Sequence, residues 1–414
     1  MERTDVIVLG AGIVGVSTAL HLQQRGRSVV LIDRREPGEE TSYGNTGIIQ
    51  REGVVPYPFP RDFRLIWRYA FNQLSEAHLH WRALPSIAPW LFRYWRASTA
   101  EDVAKTARGQ RPLVERCILE HEVFMGEAGV LGLVRRTGYM RVYRSDALLE
   151  DALERQKLER EMYGVKFEAL DKARVAELEP HLKDAVVGGL LMPEPLSVSD
   201  PGALVKAYAE LFAQRGGRFV QSDARLLEQT RDGWLMGTPR GPLAANDVVV
   251  ALGPWSDDIF RLLGYDFPLG LKRGYHQHFK AVGNATLNRP VLDAEFGYVI
   301  TPMTRGIRLT TGAEFARRDA PPTPIQLERV TPHAREIFPL GEKAESHSWL
   351  GRRPCLPDML PIVGGAPRHK GLWFNFGHHH LGFTLGPVTG RLLAEMMTGE
   401  APFTDPRPYR AERF

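Results

Sequence analysis

The chain has 414 residues, of which 43% are hydrophobic and 25% charged, with a net charge of +4 and a pI of about 9.0. These values predict a folded soluble protein of two domains, and the charge is too small and too interspersed with acids to indicate nucleic-acid binding, although an anionic ligand or membrane surface stays open. The two cysteines, Cys117 and Cys355, lie too far apart in sequence for a zinc site or a disulfide scaffold, which favours a reducing compartment.

The first 33 residues have the pattern of a strand–helix–strand unit. Residues 5–9 are a short apolar run that ends at a glycine, residues 13–24 have apolar positions at helical spacing until Gly26, and residues 28–32 are a second buried strand. Such a unit builds a parallel sheet. Because it starts within ten residues of the amino terminus, we expect no signal peptide and a cytoplasmic location.

The middle of the chain alternates predicted helices with turns. A basic, aromatic stretch at 61–108 predicts two or three helices, and polar helices follow near 146–163 and 171–180. Asp200 is the expected cap of a helix at 201–214. Neither this region nor the rest of the chain contains a run of about 18 apolar residues, so we expect no membrane span.

The second half of the chain is rich in strands. Four are predicted in the region that follows the 201–214 helix, near 218–222, 225–230, 233–237 and 247–252. Alternating residues between 266 and 312 then predict an antiparallel sheet with strands near 274–280, 296–302 and 307–312, and the final helix is expected at 386–398. The predicted fold class is therefore α/β: a Rossmann-like domain with a parallel sheet, interleaved with an α+β domain built on an antiparallel sheet and helices.

A glycine motif joins the first strand to the first helix. Gly10, Gly12 and Gly15 allow a tight turn, a close backbone approach to a pyrophosphate and close packing of helix on strand. The start of the helix offers free N–H groups to phosphate, and Asp33 closes the second strand where a carboxylate accepts hydrogen bonds from ribose hydroxyls. The motif predicts a dinucleotide cofactor without distinguishing NAD from FAD.

Three further segments narrow this choice. They read TSYGNTG at 41–47, VVVALGPWS at 248–256 and GHHHLGFT at 377–384. Together with the glycine motif they resemble the D-amino-acid oxidase superfamily of flavoproteins, most closely its bacterial D-amino-acid dehydrogenase branch. The resemblance implies non-covalently bound FAD, an FAD-binding domain formed by 1–52, 195–256 and 346–414, and a substrate-binding domain formed by 53–194 and 257–345.

The resemblance also implies which residues contact FAD. The loop after the second strand is expected along the ribityl chain and pyrophosphate, the strand end at 251–256 on the adenosine half, and the turn before the final helix at the flavin ring. The predicted cofactor-binding residues are Gly10, Gly12, Ile13, Val14, Gly15, Asp33, Arg34, Thr41, Ser42, Asn45, Thr46, Gly47, Ala251, Gly253, Trp255, Gly377, His378, His379, His380, Leu381, Gly382, Phe383 and Thr384.

The segment WLGRRPCLPD at 349–358 resembles the Gly-x-Arg-Pro motif of the same superfamily. Arg353 aligns with the arginine that clamps the substrate carboxylate, a task for which a planar fork of donors is suited. Arg352 is interpreted as a surface or structural arginine. Tyr275 is a candidate second carboxylate contact, and pleating makes it point away from His276. Further candidates beside the substrate are Asn45, Gln50, His380 and Tyr298.

No metal site is predicted. The adjacent residues His378, His379 and His380 cannot all converge on one ion, and no carboxylate or cysteine lies at ligand spacing. The family carries a histidine at the position of His378 and usually small residues at those of His379 and His380, so we expect the pocket beside the flavin to differ in shape from the family's. Cys355 lies near the region where some relatives attach flavin covalently to a cysteine. Its spacing from Pro357 differs from the spacing in those relatives. We therefore interpret Cys355 as a small buried residue.

The implied reaction is the oxidative deamination of a D-amino acid. Hydride passes from Cα to flavin N5, the imino acid hydrolyses to a 2-oxo acid, and electrons pass to a quinone or a similar acceptor. A cyclic or secondary amino acid such as D-proline, 4-hydroxy-D-proline, sarcosine or glycine is the alternative substrate, and a flavin-binding subunit of a larger complex is the alternative role. Stereochemistry, oxygen as acceptor and oligomeric state stay open.

The aromatic stretch at 61–108 has two interpretations. Its tryptophans and arginines could dock on anionic lipid and make the protein peripheral on the cytoplasmic face of a membrane. Alternatively, its aromatic residues pack the substrate domain and cap the pocket.

Overall fold

A computed structural model of the chain describes residues 2–414. Its helices are α1 (Ile13–Gln24), α2 (Phe63–Ala70), α3 (Leu84–Arg96), α4 (Ala100–Glu127), α5 (Asp146–Tyr163), α6 (Lys172–Leu178), α7 (Pro201–Gln214), α8 (Asp257–Phe260), α9 (Ile325–Ile337) and α10 (Gly382–Thr398). Short 3₁₀ turns join several of them.

The strands fall into three sheets. In chain order they are β1 (Glu2–Leu9), β2 (Val29–Asp33), β3 (Ile48–Ile49), β4 (Ala77–Leu79), β5 (Val134–Arg135), β6 (Tyr139–Tyr143), β7 (Glu168–Asp171), β8 (Gly188–Met192), β9 (Leu196–Val198), β10 (Arg218–Gln221), β11 (Leu227–Thr230), β12 (Gly233–Met236), β13 (Leu243–Val250), β14 (Gly270–Ala281), β15 (Val291–Asp293), β16 (Tyr298–Met303), β17 (Gly306–Thr310), β18 (Ala313–Phe315), β19 (Leu340–Lys343), β20 (Trp349–Cys355), β21 (Ile362–Gly365) and β22 (Leu372–Phe376).

The first sheet has eight strands, and its centre is parallel. The order is β10-β2-β1-β13-β12-β11, and β22 continues beside β13 and pairs with β21. The register sets Leu9 beside Ile32 and Val250, so the three strands end at one edge of the sheet. This edge carries the glycine turn, and the predicted strand–helix–strand unit is confirmed.

The second sheet has eleven strands and is mostly antiparallel, as predicted. Its long central strand β14 pairs with β17, β18, β19 and β20. The segment 346–414, which the sequence predicts to lie in the FAD-binding domain, contributes strands to both large sheets. Its strand β20 pairs along β14 in the second sheet, and the chain returns to the first sheet at β21. These pairings join distant segments, so no local pattern predicts them. The third sheet holds only β3, β9 and β5.

Two predicted helices have different bounds in the structure, and α9 is not among the predicted elements. The aromatic stretch was expected to contain two or three helices ending near 108, but its last helix, α4, continues to Glu127 and has 28 residues. The final helix begins at Gly382 rather than at Gly386. Glycine and threonine in its first turn are weak helix formers, so tertiary packing rather than propensity sets this start.

Helix α10 packs across α1 at close range. A Cβ atom added at Gly386 would lie 3.0 Å from Ile13 Cγ1, and one at Gly390 would lie 2.9 Å from the Thr18 amide nitrogen. The glycines therefore let the two helices approach and hold the start of α10 beside the glycine turn. Among residues 2–414, no helix is both long and apolar enough to cross a membrane.

Several buried histidines predict a stability that falls with acid. Burial lowers the pKa of His21 to about 3, of His121 to about 4 and of His378 to about 3. The unfolded chain then binds more protons than the native state below pH ~6.5, so each histidine costs about 2 kcal/mol of unfolding free energy between pH 7.5 and pH 5. Urea unfolding at the two pH values measures this loss.

Substitution of one buried histidine tests its share of this pH-dependent loss of stability. His121→Gln should reduce the pH dependence of the unfolding free energy, because the substituted residue takes up no proton when the chain unfolds. Equal pH slopes for the protein and for His121→Gln would contradict the prediction.

Candidate active site

The two large sheets meet around a cavity of about 600 Å³. One end lies at the carboxyl edge of β1, β2 and β13, where doubly wound sheets bind their ligands. The other end lies against β14 and β20 of the second sheet and against the turn that starts α10. The cavity therefore joins the predicted dinucleotide site to the predicted substrate site.

The glycine turn forms a cradle at the first end. Gly10 has a φ of +109°, and a Cβ atom there would lie 2.4 Å from the Ala251 carbonyl oxygen; at Gly15 it would lie 1.8 Å from the Gly10 carbonyl oxygen. Helix α1 begins with Gly12 as an N-cap that has no side-chain hydrogen bond. Backbone amides and a positive helix end thus face the cavity, which suits a pyrophosphate.

The edge beside the cradle holds a fixed carboxylate and an aromatic ring. Asp33 Oδ2 accepts a hydrogen bond from the Ala11 amide at 2.7 Å, and its Oδ1 accepts one from the Arg35 amide at 3.1 Å. The guanidinium carbon of Arg34 lies 4.5 Å from the centroid of the Trp255 ring. Arg352, which the sequence left as a surface or structural residue, also lines the cavity here.

The loop between β2 and β3 is held over the cavity by a buried cation. Arg308 donates to the carbonyl oxygen of Tyr43 at 3.2 Å and to that of Asn45, and its Nε lies 3.0 Å from His278 Nε2. Burial lowers the pKa of Arg308 to about 10. Sequence reasoning missed this clamp, because nothing in the linear pattern links β17 to the loop.

Arg353 lies on β20 with its guanidinium group against the cavity. It donates to the Gly312 carbonyl oxygen at 2.9 Å and to that of Thr311 at 3.3 Å. No carboxylate of the described residues lies within 4.0 Å of it, and burial lowers its pKa. A positioned arginine without an acidic partner can receive a carboxylate.

Tyr275 and Tyr298 are engaged elsewhere. Tyr275 donates to Glu314 Oε2 at 3.0 Å and accepts a hydrogen bond from the Thr323 amide at 2.7 Å. The Tyr298 hydroxyl donates to Asp293 Oδ2 at 2.8 Å and does not line the cavity. His276 stacks on Trp349 on the opposite side of β14, as pleating requires. Because both hydroxyls are held by these hydrogen bonds, neither tyrosine is placed to donate to a substrate.

The three consecutive histidines diverge. His378 Nε2 lies 3.0 Å from Thr389 Oγ1 inside α10, and His379 Nε2 accepts the Leu356 amide at 3.1 Å. The His380 ring lies 5.0 Å from the ring of Tyr57, and burial, with the nearby Arg353, lowers its pKa to about 3. Burial also lowers the pKa of His378 to about 3 and that of His379 well below its usual value, so all three rings are neutral at physiological pH. No group of three or more metal-ligating side chains converges among residues 2–414.

A lysine completes the substrate end of the cavity. Lys272 lies two residues before Gly274 on β14, on the same strand face, and its Nζ donates to the Tyr94 hydroxyl at 2.8 Å. It lines the cavity together with Tyr57 and Tyr139. Sequence reasoning missed all three. Alternation along β14 could have placed Lys272 on the cavity face, but nothing local marks the two tyrosines.

Most of the predicted site residues are brought together. All five candidate catalytic residues line the cavity: Arg353, Tyr275, His380, Asn45 and Gln50. Four predicted cofactor residues lie behind the cavity wall instead, where they shape the turns and loops that line it: Gly15, Gly47, Gly377 and Thr384. Thr384 Oγ1, for example, accepts the Gln50 amide at 3.0 Å and so ties the loop to α10.

Comparisons with known proteins agree with this geometry. The family model described as DAO, FAD dependent oxidoreductase, matches residues 5–396. The chain belongs to the family of FAD-dependent oxidoreductases. It is 30% identical to a D-amino-acid oxidase of Bradyrhizobium diazoefficiens, over 100% of the chain and 99% of that protein. It is also 28% identical to a D-amino acid dehydrogenase of Chromohalobacter salexigens, over 97% of each chain.

The fold agrees with solved structures of flavoenzymes. The glycine oxidase of Geobacillus kaustophilus superposes with a TM-score of 0.76 over 100% of both chains, at 21% sequence identity. The residues of this FAD-dependent oxidoreductase fit the cofactor. The cradle at Gly10 and Gly15 has no room for a side chain, Asp33 lies at the edge where a ribose binds, and the cavity continues past the start of α10 to Arg353.

Proposed function

We propose that this flavoenzyme oxidises the carbon–nitrogen bond of an amino acid, and that a D-amino acid is its substrate. The observation that carries the proposal is Arg353, a guanidinium at the far end of the cofactor cavity with no acidic partner of its own among the described residues. Relatives named D-amino-acid oxidase and D-amino acid dehydrogenase support the choice of substrate.

Bound FAD would supply the hydride acceptor for this reaction. The chain itself binds and orients the substrate. Arg353 would hold the substrate carboxylate through two parallel hydrogen bonds, which fixes the Cα–H bond relative to the cavity. The neutral ring of His380 and the ring of Tyr57 border the same space.

Gln50 and Asn45 line the cavity on the loop side and are our candidates for contacts to the substrate or the flavin. The Gln50 side chain donates to Glu52 Oε1 at 3.2 Å through its amide nitrogen. Its carbonyl oxygen would then be available to a substrate amine.

A cyclic or secondary amino acid, such as D-proline, 4-hydroxy-D-proline or sarcosine, or glycine itself, is the alternative substrate. The likeness to a glycine oxidase structure is the observation behind it. A second alternative is that the chain is a flavin-binding subunit of a larger complex. We further propose a quinone or a similar acceptor for the electrons and a cytoplasmic, membrane-peripheral location.

Anaerobic reduction of the bound flavin tests the proposal. The purified chain, mixed without oxygen with D- and L-amino acids, imino acids and 2-hydroxy acids, should lose its yellow colour only with the true substrate class. Bleaching by a D-amino acid is the expected result. Bleaching by hydroxy acids alone would overturn the amine assignment, and no bleaching at all would favour the subunit. Reoxidation by air or by a quinone dye then separates the acceptors.

The rate should rise with pH. Substrate amines lose their proton before oxidation, and the histidines at the cavity are already neutral because burial keeps the pKa of His378 and His380 near 3. We therefore expect log kcat/KM to increase with slope 1 through the acidic range and to level off only near the pKa of the substrate amine. A flat profile from acid to alkaline pH would count against this.

FAD should be bound without a covalent link. Cys355 lines the cavity, but burial raises the pKa of its thiol, which keeps it protonated and a poor nucleophile. Acid precipitation should leave the yellow flavin in the supernatant, and Cys355→Ser should retain the same flavin content. Colour that stays with the precipitated protein, and is lost in Cys355→Ser, would establish a covalent bond instead.

A further inference from the structure

Helix α2 carries an apolar face that nothing in the structure covers. No residue of this helix is buried, and Phe63, Trp67 and the adjoining Phe71 are 76%, 63% and 47% exposed. Because they follow one another at intervals of four, they lie on one side of the helix. The helix is properly capped, since Asp62 accepts the Arg64 amide at 2.8 Å. Helices of folded proteins usually turn such a stripe inward.

The exposed rings form one surface. The rings of Trp67 and Phe71 have centroids 4.3 Å apart, and those of Phe71 and Trp81 are 5.6 Å apart. Arg61, just before α2, lies over the ring of Trp95 on α3 and links the two helices. We call the following exposed side chains the aromatic surface: Phe63, Trp67, Phe71, Trp81 and Phe92. Contiguous exposed apolar patches mark sites of interaction.

The surroundings of the aromatic surface are strongly basic. Residues 57–97 contain six arginines and only two acids, Asp62 and Glu76. Asp62 is used as the helix cap, and Glu76 lines the cavity. Within residues 2–414 no carboxylate lies within 4.0 Å of any of the six exposed guanidinium groups. They are Arg61, Arg64, Arg68, Arg82, Arg93 and Arg96.

We propose that the aromatic surface docks on an anionic lipid bilayer. Tryptophan and phenylalanine rings favour the interface between headgroups and acyl chains, and unpaired arginines bind lipid phosphates. A second copy of this chain fits the surface less well. A twofold axis through it would bring the arginines of one copy against those of the other, and like charges repel.

The aromatic surface lies beside an opening of the cavity. Tyr57 lines the cavity and is 56% exposed, so the cavity opens there. Its carbonyl oxygen accepts a hydrogen bond from the Tyr94 hydroxyl of α3, so the opening adjoins the aromatic surface. Docking would bring this opening to the bilayer, where a quinone dissolves. Docking deepens the membrane-peripheral location proposed above, and only the transfer of electrons to a quinone rests on the proposed reaction.

Vesicle co-sedimentation of the FAD-loaded protein tests the proposal. We expect binding to phosphatidylcholine vesicles that contain phosphatidylglycerol, little binding to phosphatidylcholine alone, and weakening by salt. The variants Phe63→Ser/Trp67→Ser and Arg64→Glu/Arg68→Glu should each bind at least about tenfold more weakly. Flavin content, measured on every variant, shows that it is folded.

A matched control is available on α5. Leu158 and Met162 are 55% and 57% exposed and also lie four residues apart, but α5 carries more acids than bases. Leu158→Ser/Met162→Ser should bind vesicles as the unaltered protein does. Absence of binding to anionic vesicles, or equal binding by all variants, would overturn the proposal. So would a dimer in analytical ultracentrifugation that Phe63→Ser/Trp67→Ser dissociates, because a second copy would then occupy the surface. Vesicle binding needs no substrate, so failure of the proposed reaction is measured separately.

Discussion

Arg353→Met is expected to lower kcat/KM for the amino acid by at least about a hundredfold, mostly through KM, because truncating one partner of a buried charge pair costs about 3 kcal/mol. The side chain makes no ion pair with a described carboxylate, so its removal orphans no buried charge. The variant should therefore fold and keep its FAD. Arg273 differs, since its guanidinium is paired with Glu314 at 2.7 Å.

The measurement is a steady-state comparison of KM and kcat with the flavin spectrum recorded for each variant. The KM of Arg353→Lys should lie between that of the unaltered protein and that of Arg353→Met, since lysine keeps the charge but not the planar fork. Arg135→Met is the matched control: this half-buried arginine also donates to a backbone carbonyl oxygen, that of Pro302 at 3.1 Å, but lies outside the cavity. An unchanged KM in Arg353→Met would contradict the role of Arg353.

Gly10→Ala is expected to abolish FAD binding. The residue has a φ of +109°, and a Cβ atom would lie 2.4 Å from the carbonyl oxygen of Ala251. Relief of this clash requires β1 and β13 to separate where the pyrophosphate would bind, so we expect apoprotein with lowered stability.

Gly26→Ala is a control that separates the clash of the added Cβ atom from the strain of a positive φ. Gly26 also has a positive φ, of +75°, but nothing lies within 4 Å of its added Cβ. It should cost only about 1–2 kcal/mol of stability, from the backbone conformation alone, and leave FAD in place. The ratio of flavin to protein absorbance and the Tm measure both outcomes. Stoichiometric FAD in purified Gly10→Ala would contradict the proposed cradle.

Of the two arginines on β20, Arg353 was predicted to lie at the site and Arg352 was not. The resemblance to a family motif selected Arg353, and Arg353 lines the cavity. Arg352 also lines the cavity, beside Trp255, because the loop after β13 folds back to that point. The sequence pattern cannot contain this information, since the two segments are nearly a hundred residues apart.

Tyr275 and Lys272 show the same limit on one strand. Both line the cavity, but the Tyr275 hydroxyl donates to Glu314 while Lys272 Nζ donates to the Tyr94 hydroxyl. Alternation along β14 determines that the two side chains leave opposite faces of the strand. The partners that each face meets depend on how the second sheet packs against its neighbours.

By itself, the sequence determined the strand–helix–strand unit, the glycine turn and the position of Asp33, which follow from local periodicity and from backbone positions that favour glycine. The family came from the resemblance of the segments 41–47, 248–256 and 377–384 to known flavoproteins. The tertiary structure decided the contact of Arg308 with the loop between β2 and β3, the membership of β20 in the second sheet and the exposure of the aromatic stretch. Each depends on which distant segments meet, and pairing between distant segments leaves no periodic trace in the sequence.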